Sequence, residues 1–273
     1  MSGIQAPDKE TMEACRLYVD NLIKPIHSLG KLEDIAVRLA GITGKIKPGK
    51  LNKAIVIMAG DTAVDGENKT GGKTSLTEVQ MVSRGLGTVS AVARTLGAPV
   101  YLIDVGLEQN TNDIEGVLTN KVVYGTHRGN PALDQDAVSA AISIGMSVAR
   151  TLAVQGIQAV GLGNIGERSL LSALGVTAAI MKKELQENSL KDGFSLHMDD
   201  VGNMANDPVG VLSRVGSAEI AGLFGLVVQA AREKIAIVFD NAVTGAAVLA
   251  AIEVYPEVRD YVFSSAAYNE PVH

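Results

Sequence analysis

Ile157-Gln158-Ala159-Val160-Gly161-Leu162-Gly163-Asn164-Ile165-Gly166-Glu167, together with the alanine-rich run 169–183, decides how this chain folds. Residues 157–162 read as a buried strand, 169–183 as a helix, and the glycines between them as a tight turn. A strand, a glycine turn and a helix N-terminus together form an anion site. Glycine lets the backbone approach a phosphate closely, and the helix end offers unpaired N–H groups and a partial positive charge. The turn carries no Thr, and Ser169 is followed by Leu170 and Leu171.

Outward from that unit the pattern alternates. Toward the N-terminus, 54–58 is a continuous apolar run, as in a strand covered on both faces. A long polar loop covers 60–73. Ser75-Leu76-Thr77-Glu78 matches a capping box and predicts a helix start. A helix over 88–96 closes at Gly97, a strand follows at 100–105, and 121–124 reads as a third strand. Residues 134–155 form a long amphipathic helix. Toward the C-terminus, 184–207 is polar and loop-like, and Asp207-Pro208 reads as an N-cap with Pro at the first helical position. A helix over 218–233 leads to a strand at 235–239, then to a helix over 243–254 and an edge strand at 261–263. Two helices, 7–22 and 31–39, precede all this. The expected fold is α/β: a Rossmann-like, three-layer parallel sheet, spanning 46–273. A small, incomplete N-terminal helical appendage covers 1–45.

Composition narrows the class. Of the 273 residues, 47% are hydrophobic but only 4% aromatic, with no Trp, so small aliphatic side chains must fill the core. The 29 glycines suit many tight strand-to-helix turns. A net charge of −6 with dispersed Lys and Arg argues against nucleic acid as a partner. The single cysteine, Cys15, excludes an intrachain disulfide. The first ten residues lack a signal-peptide core, and the apolar stretches 220–231 and 242–252 are too short for a bilayer. A cytoplasmic protein with no membrane partner is expected. His27, His127, His197 and His273 show no metal-ligand spacing, and neither a metal nor a cofactor is expected.

Ligands of open parallel sheets bind beyond the carboxyl ends of the strands. Asp61, Asp104, Glu167 and Asp240 should lie along that edge. They read either as ligand groups or as braces that cap helices and tie loops. Gly161, Gly163 and Gly166 match the spacing of a dinucleotide fingerprint. The acidic strand end expected about 20 residues later falls instead in the polar run 183–188, so nicotinamide or flavin binding is not expected.

Several segments together resemble the nicotinate-nucleotide:dimethylbenzimidazole phosphoribosyltransferase family, which activates the lower-ligand base of cobamides. Lys24-Pro25-Ile26-His27-Ser28-Leu29-Gly30-Lys31-Leu32-Glu33 matches the family's Lys-Pro-x-x-Ser-Leu-Gly-x-Leu-Glu. Ile57 to Ala63 resembles its strand followed by Ala-Asp-His-Gly, and Leu102-Ile103-Asp104-Val105-Gly106 its Val-x-Asp-x-Gly. Residues 163–171 line up with its phosphate turn, Gly-Glu-x-Gly-x-x-Asn-Thr-Thr. Val238-Phe239-Asp240-Asn241 resembles its strand ending in Leu-Asp-Gly, and 265–272 its Ser-His-x-Ser-Ala-Glu-x-Gly.

The departures are systematic. The turn's Glu is Asn164, and its Asn-Thr-Thr is Ser169-Leu170-Leu171. The motif histidines are Thr62 and Ala266. In the family a further segment follows the position of His273; it carries the general-base glutamate and completes the small helical domain. The resemblance therefore implies the shorter, non-catalytic subunit of a heterodimeric enzyme whose partner is a full-length paralogue. Nicotinate mononucleotide and a phenolic (phenol, p-cresol) or benzimidazole acceptor would bind at the level of the complex. Asp61, Thr70, Glu78, Gly163, Asn164, Gly166, Asp240 and Glu270 are the implied substrate contacts, vestigial or shared, and no catalytic residue is assigned. The alternative is a stand-alone nucleotide-binding or regulatory protein. A self-sufficient enzyme would have to use Glu270 as its base.

Overall fold

The computed structural model describes residues 3–62, 70–123, 132–181 and 207–265. Its centre is a six-stranded, all-parallel sheet built from β1 (Lys53–Gly60), β2 (Val100–Gly106), β3 (Val117–Thr119), β4 (Ala159–Ile165), β5 (Ala236–Phe239) and β6 (Val262–Ser264). Their order is β3-β2-β1-β4-β5-β6. The chain builds outward from β1 in one direction, then returns to β4 on β1's other side and builds the opposite way. The crevice beyond the carboxyl ends of β1 and β4 is therefore the topological switch point.

Period-2 alternation divides the central strands between two faces. Ala54, Val56 and Met58 of β1 join Ile103, Val105, Val160 and Leu162 in the larger core cluster. Ile57 and Ala59 join Leu102 and Ile165 in the smaller one. α8 (Ala218–Arg232) and α9 (Ala242–Val254) cover the first face, and α3 (Lys73–Ser83) covers the second through Val79. The three-layer α/β expectation holds. α5 (Gln135–Val154) lies against α8 so closely that a Cβ on Gly145 would overlap the Gly222 carbonyl, and one on Gly225 the Ile142 carbonyl. By length and hydropathy α5 is the described helix able to cross a membrane. Its Val138, Ala141, Gly145, Ala149 and Leu152 are buried in the core.

α4 (Thr88–Leu96) ends at Gly97, in the left-handed region, where the sequence placed the stop. Asp207 caps α7 (Pro208–Val215) by accepting from the Gly210 amide, with Pro208 at the first position as expected. Three local expectations fail. Residues 121–123 are not strand: β3 lies at Val117–Thr119, because Asn120 and Val122 donate single bonds back to Asp104 and Val105 while Lys121 turns inward. The glycine turn is shorter than predicted. Gly161 and Gly163 lie within β4, where a Cβ at Gly163 would stand 3.1 Å from Ile57, so their absent side chains let β1 and β4 pack. Nor does a capping box start α3, whose N-cap is Gly72 at φ 74° with no side-chain cap bond.

The appendage is α1 (Lys9–Asp20) and α2 (Lys31–Thr43), packed on each other around Cys15, Val19, Val37 and Ala40. It is fastened to the sheet. Arg38 donates to the carbonyls of Arg259 and Val262 at 3.0 and 2.7 Å and lies over the Phe263 ring. Tyr261, fully buried, donates its hydroxyl to the Gln5 carbonyl at 2.6 Å.

Candidate functional site at the switch point

Asp61 follows β1 directly and is 4% exposed. Its Oδ1 accepts from Ser75 Oγ at 2.5 Å and from the Glu167 amide at 2.9 Å, and its Oδ2 accepts from the Glu108 amide at 2.9 Å. One carboxylate thus ties the loops after β1, β2 and β4 to the first turn of α3. Ser75, which the sequence suggested as a cap, is drawn inward to this acceptor. Gly72 is glycine for the same reason, since a Cβ there would meet Asp61 Oδ2 at 2.8 Å. Asp104, fully buried, has a similar role on the neighbouring strand. It accepts from the amides of Gly106 and Leu107 and from Thr111 Oγ1, with Lys121 Nζ at 3.5 Å. Both acids brace the loops around them.

The turn after β4 is Gly166-Glu167-Arg168, leading into α6 (Ser169–Met181). A Cβ on Gly166 would overlap the Gly60 carbonyl oxygen, so β1 and β4 approach here more closely than any other residue allows. Arg168 holds φ at 66°, a left-handed conformation unusual outside glycine. The Glu167 amide is committed to Asp61, and its carboxylate accepts from Thr70 Oγ1 and, at 3.2 Å, from the Thr74 amide in the first turn of α3. The chain's own carboxylate therefore sits where a helix end favours an anion. Thr62 donates its amide to the Glu167 carbonyl at 3.2 Å, and its hydroxyl lies 3.3 Å from Ser172 Oγ.

A further acid lies beneath the turn. Glu219, in the first turn of α8, is fully buried. Its Oε1 is 2.7 Å from Ser169 Oγ. Burial pushes its carboxyl up to about 7, opposed chiefly by the Ser169 hydroxyl and abetted by the nearby charge of Asp61. Nothing in the sequence reading singled it out. The available signal was a lone acid opening the otherwise apolar run 218–231.

The structure brings Asp61, Thr70 and Glu167 into one hydrogen-bonded group, and Gly166 precedes Glu167 in the same turn with its carbonyl accepting from Ser169. Asn164, in β4, accepts from Asn241 Nδ2 at 3.0 Å, where Asn241 caps α9 in a capping box. Asp240 follows β5 and is exposed. Glu78 is exposed on α3, whereas Ser75 and Val79 of the same helix are buried. Glu270 falls outside the described residues. Beside α3 a cavity of about 690 Å³ is lined by Leu76, Gln80, Arg84, Asn110 and Asp113, and none of the residues predicted from sequence lines it.

The Lys24–Glu33 motif forms its own polar cluster. Glu33, 3% exposed, accepts from Lys24 Nζ at 2.8 Å and from the Leu29 amide at 3.1 Å, with His27 Nδ1 3.6 Å away. The Lys24 hydrogen bond holds its carboxyl below the usual range, against the opposing effect of burial. The motif thus folds the link between α1 and α2 around one ionised acid.

A strand order that places a glycine turn at the switch point agrees with what related proteins look like. A family model described as a phosphoribosyltransferase matches residues 4–273. The nicotinate-nucleotide–dimethylbenzimidazole phosphoribosyltransferase of Alkaliphilus metalliredigens is 34% identical over 288 residues, a match covering 98% of this chain and 81% of that protein. That of Dehalococcoides mccartyi is 32% identical, covering 100% and 82%. The crystal structure of the Thermus thermophilus enzyme superposes with a TM-score of 0.82 at 25% identity, over 97% of this chain and 84% of that one. Family model, sequence identity and fold agree, and the chain belongs to the nicotinate-nucleotide–dimethylbenzimidazole phosphoribosyltransferase family.

Proposed function

We propose that this chain is one subunit of a cobamide lower-ligand-activating phosphoribosyltransferase, and that it supports a full-length paralogue rather than catalysing alone. The complex transfers phosphoribose from nicotinate mononucleotide to a phenolic or benzimidazole acceptor. It breaks the bond to nicotinate and forms an α-riboside phosphate. The acceptor's proton must pass to a base, which on this reading the partner supplies.

The observation that carries the reading is the state of the switch-point acids. Asp61 accepts from three internal donors, Glu167 fills the N-terminus of α3, and Glu219 is sealed beneath the turn. Asn164 stands where the family has Glu, and it is bonded to Asn241. Leu170 and Leu171 offer no side-chain donor to a phosphate. A turn that keeps the family's backbone while its acids are engaged internally suits a scaffold better than a catalyst. Support for a partner comes from the appendage, where Leu17, Leu22, Ile23, Ile26, Leu29 and Leu32 are all exposed. So many large apolar side chains within sixteen positions mark an association surface.

The test is a transfer assay with nicotinate mononucleotide and phenol, p-cresol or dimethylbenzimidazole, using the chain alone and then with the paralogue from the same genome. Activity confined to the mixture is expected. Turnover by the isolated chain would refute the supporting role. The second reading, a stand-alone nucleotide-binding protein, draws on the Gly166 turn at the switch point. It requires that the isolated chain bind nicotinate mononucleotide without a partner.

A further inference from the structure

Ser169 presents a problem of proton counting. Its hydroxyl has one proton yet faces two acceptors, the Gly166 carbonyl at 3.1 Å and Glu219 Oε1 at 2.7 Å. Both contacts are hydrogen bonds only if Oε1 itself bears a proton and donates it to Ser169 Oγ, leaving the serine proton for Gly166. The surroundings favour that form. Glu219 Oε2 has no hydrogen-bond partner and is pressed against Gly60, where a Cβ would fall 2.7 Å from it. An ionised carboxylate would leave that oxygen charged and fully buried, with the Ser217 hydroxyl and its own amide as the donors at hand against the cost of burial. The charged group facing it is the Asp61 carboxylate at the end of β1, of the same sign. From α6 and α8 it meets the Ser169 and Ser217 hydroxyls and its own amide.

We infer that Glu219 is a positioning residue which, as the neutral acid, fixes the Gly166 carbonyl through Ser169 and so sets the shape of the β4–α6 turn that faces the nucleotide. The last clause rests on the complex-level nucleotide binding proposed above, to which this turn would contribute backbone shape and no side-chain donor from Leu170 or Leu171. If Glu219 ionises, the Ser169 proton must swing to the carboxylate and the Gly166 carbonyl loses its donor. The turn is therefore linked to protons across the neutral range, in agreement with a carboxyl raised to about 7. An unfolded glutamate releases its proton near its ordinary value of about 4.3. Between that value and about 7 the folded chain holds a proton that the unfolded chain has lost. Glu219 thus contributes stability fully at the acid end of this window and loses it as pH rises through the window. Above about 7 the proton-holding turn falls about tenfold per pH unit.

The experiment is to measure unfolding of the full chain and of Glu219→Gln from about pH 5 to about pH 8, a range chosen to bracket the shifted carboxyl, alongside nicotinate mononucleotide binding to the chain with its paralogue. Glutamine keeps the shape and a permanent donor. The wild type is expected to lose stability relative to Glu219→Gln as pH rises. A protonated-carboxyl infrared band on the acid side of neutrality should vanish in the variant. Nucleotide affinity should weaken with alkalinity in the wild type and stay level in Glu219→Gln. Ser169→Ala should bind with the same pH profile as Glu219→Gln, but weakly throughout. Parallel stability curves, or an infrared band that survives the substitution, overturn the inference. A stability difference with no change in nucleotide binding would leave the proton on Glu219 intact and refute the assignment of the turn to the nucleotide.

Discussion

Glu33 and Glu219 are both buried glutamates in the first turn of a helix, and their carboxyls are displaced in opposite directions. At Glu33 a lysine, a backbone amide and a histidine converge on the carboxylate, so the charge is matched and held. At Glu219 the donors are two serine hydroxyls and the residue's own amide, with no cation among the contacts, and burial outweighs them, so the charge is expelled. Burial alone does not set the protonation state of an acid; the donors buried with it do. In the appendage an acid organises a loop by staying charged. At the switch point one organises a turn by losing its charge, next to Asp61, which does its bracing with internal amides and a hydroxyl.

The hardest test of this contrast is Asp61→Ala. It strands the Ser75 hydroxyl and the amides of Glu108 and Glu167. A loss of about 4 kcal/mol in urea unfolding is expected, since bonds to a charged group contribute ~1.5–3 kcal/mol each and are partly redundant. A loss below about 1 kcal/mol would mean that the loops hold themselves. Next is Gly166→Ala, whose methyl would overlap the Gly60 carbonyl. About 2 kcal/mol of destabilisation is expected from overpacking, measured the same way. In the appendage, Glu33→Gln should lower the thermal midpoint near neutral pH by a few degrees, whereas Glu219→Gln should not. The pH dependences should also oppose each other. The Glu33 contribution is present above the ordinary carboxyl range and is lost as pH falls through its lowered value. Lys24→Ala should abolish that acid loss, and an unchanged acid limb would detach Glu33 from it. The smallest effect should come from Thr70→Val, about 0.5 kcal/mol, because the hydroxyl it removes from Glu167 is exposed.

The contrast also marks what the sequence could disclose. Central strands buried on both faces produce continuous apolar runs, so β1, β2 and β5 were legible, as was the cap at Asp207. β3 was not, because a three-residue edge strand has too few positions to show a period. Gly161 and Gly163 read as a turn, since glycine favours turns by its backbone freedom. Here they serve as flat surface for Ile55 and Ile57. Ser75 had the spacing of a cap, and a stronger acceptor, Asp61, claimed it. Asp61 was singled out by its place after a strand and Thr70 by the family resemblance, and neither signal tells whether a side chain is vacant or already engaged. Glu219 was missed because an acid in a helix's first turn ordinarily reads as a solvated partner of the helix dipole. Only the helix packing shows that no water reaches it.

The fastening of the appendage has a consequence for the order of synthesis. Arg38 grips carbonyls 221 and 224 positions further along, and the Tyr261 hydroxyl reaches back 256 positions to Gln5. α1 and α2 leave the ribosome before any strand exists, whereas the carbonyls that Arg38 grips and the Tyr261 hydroxyl that holds Gln5 emerge after β5. Those anchors must wait while most of the sheet is made. A nascent chain arrested before Pro256 should therefore leave its N-terminal helices open to protease, and protection should arrive with Tyr261.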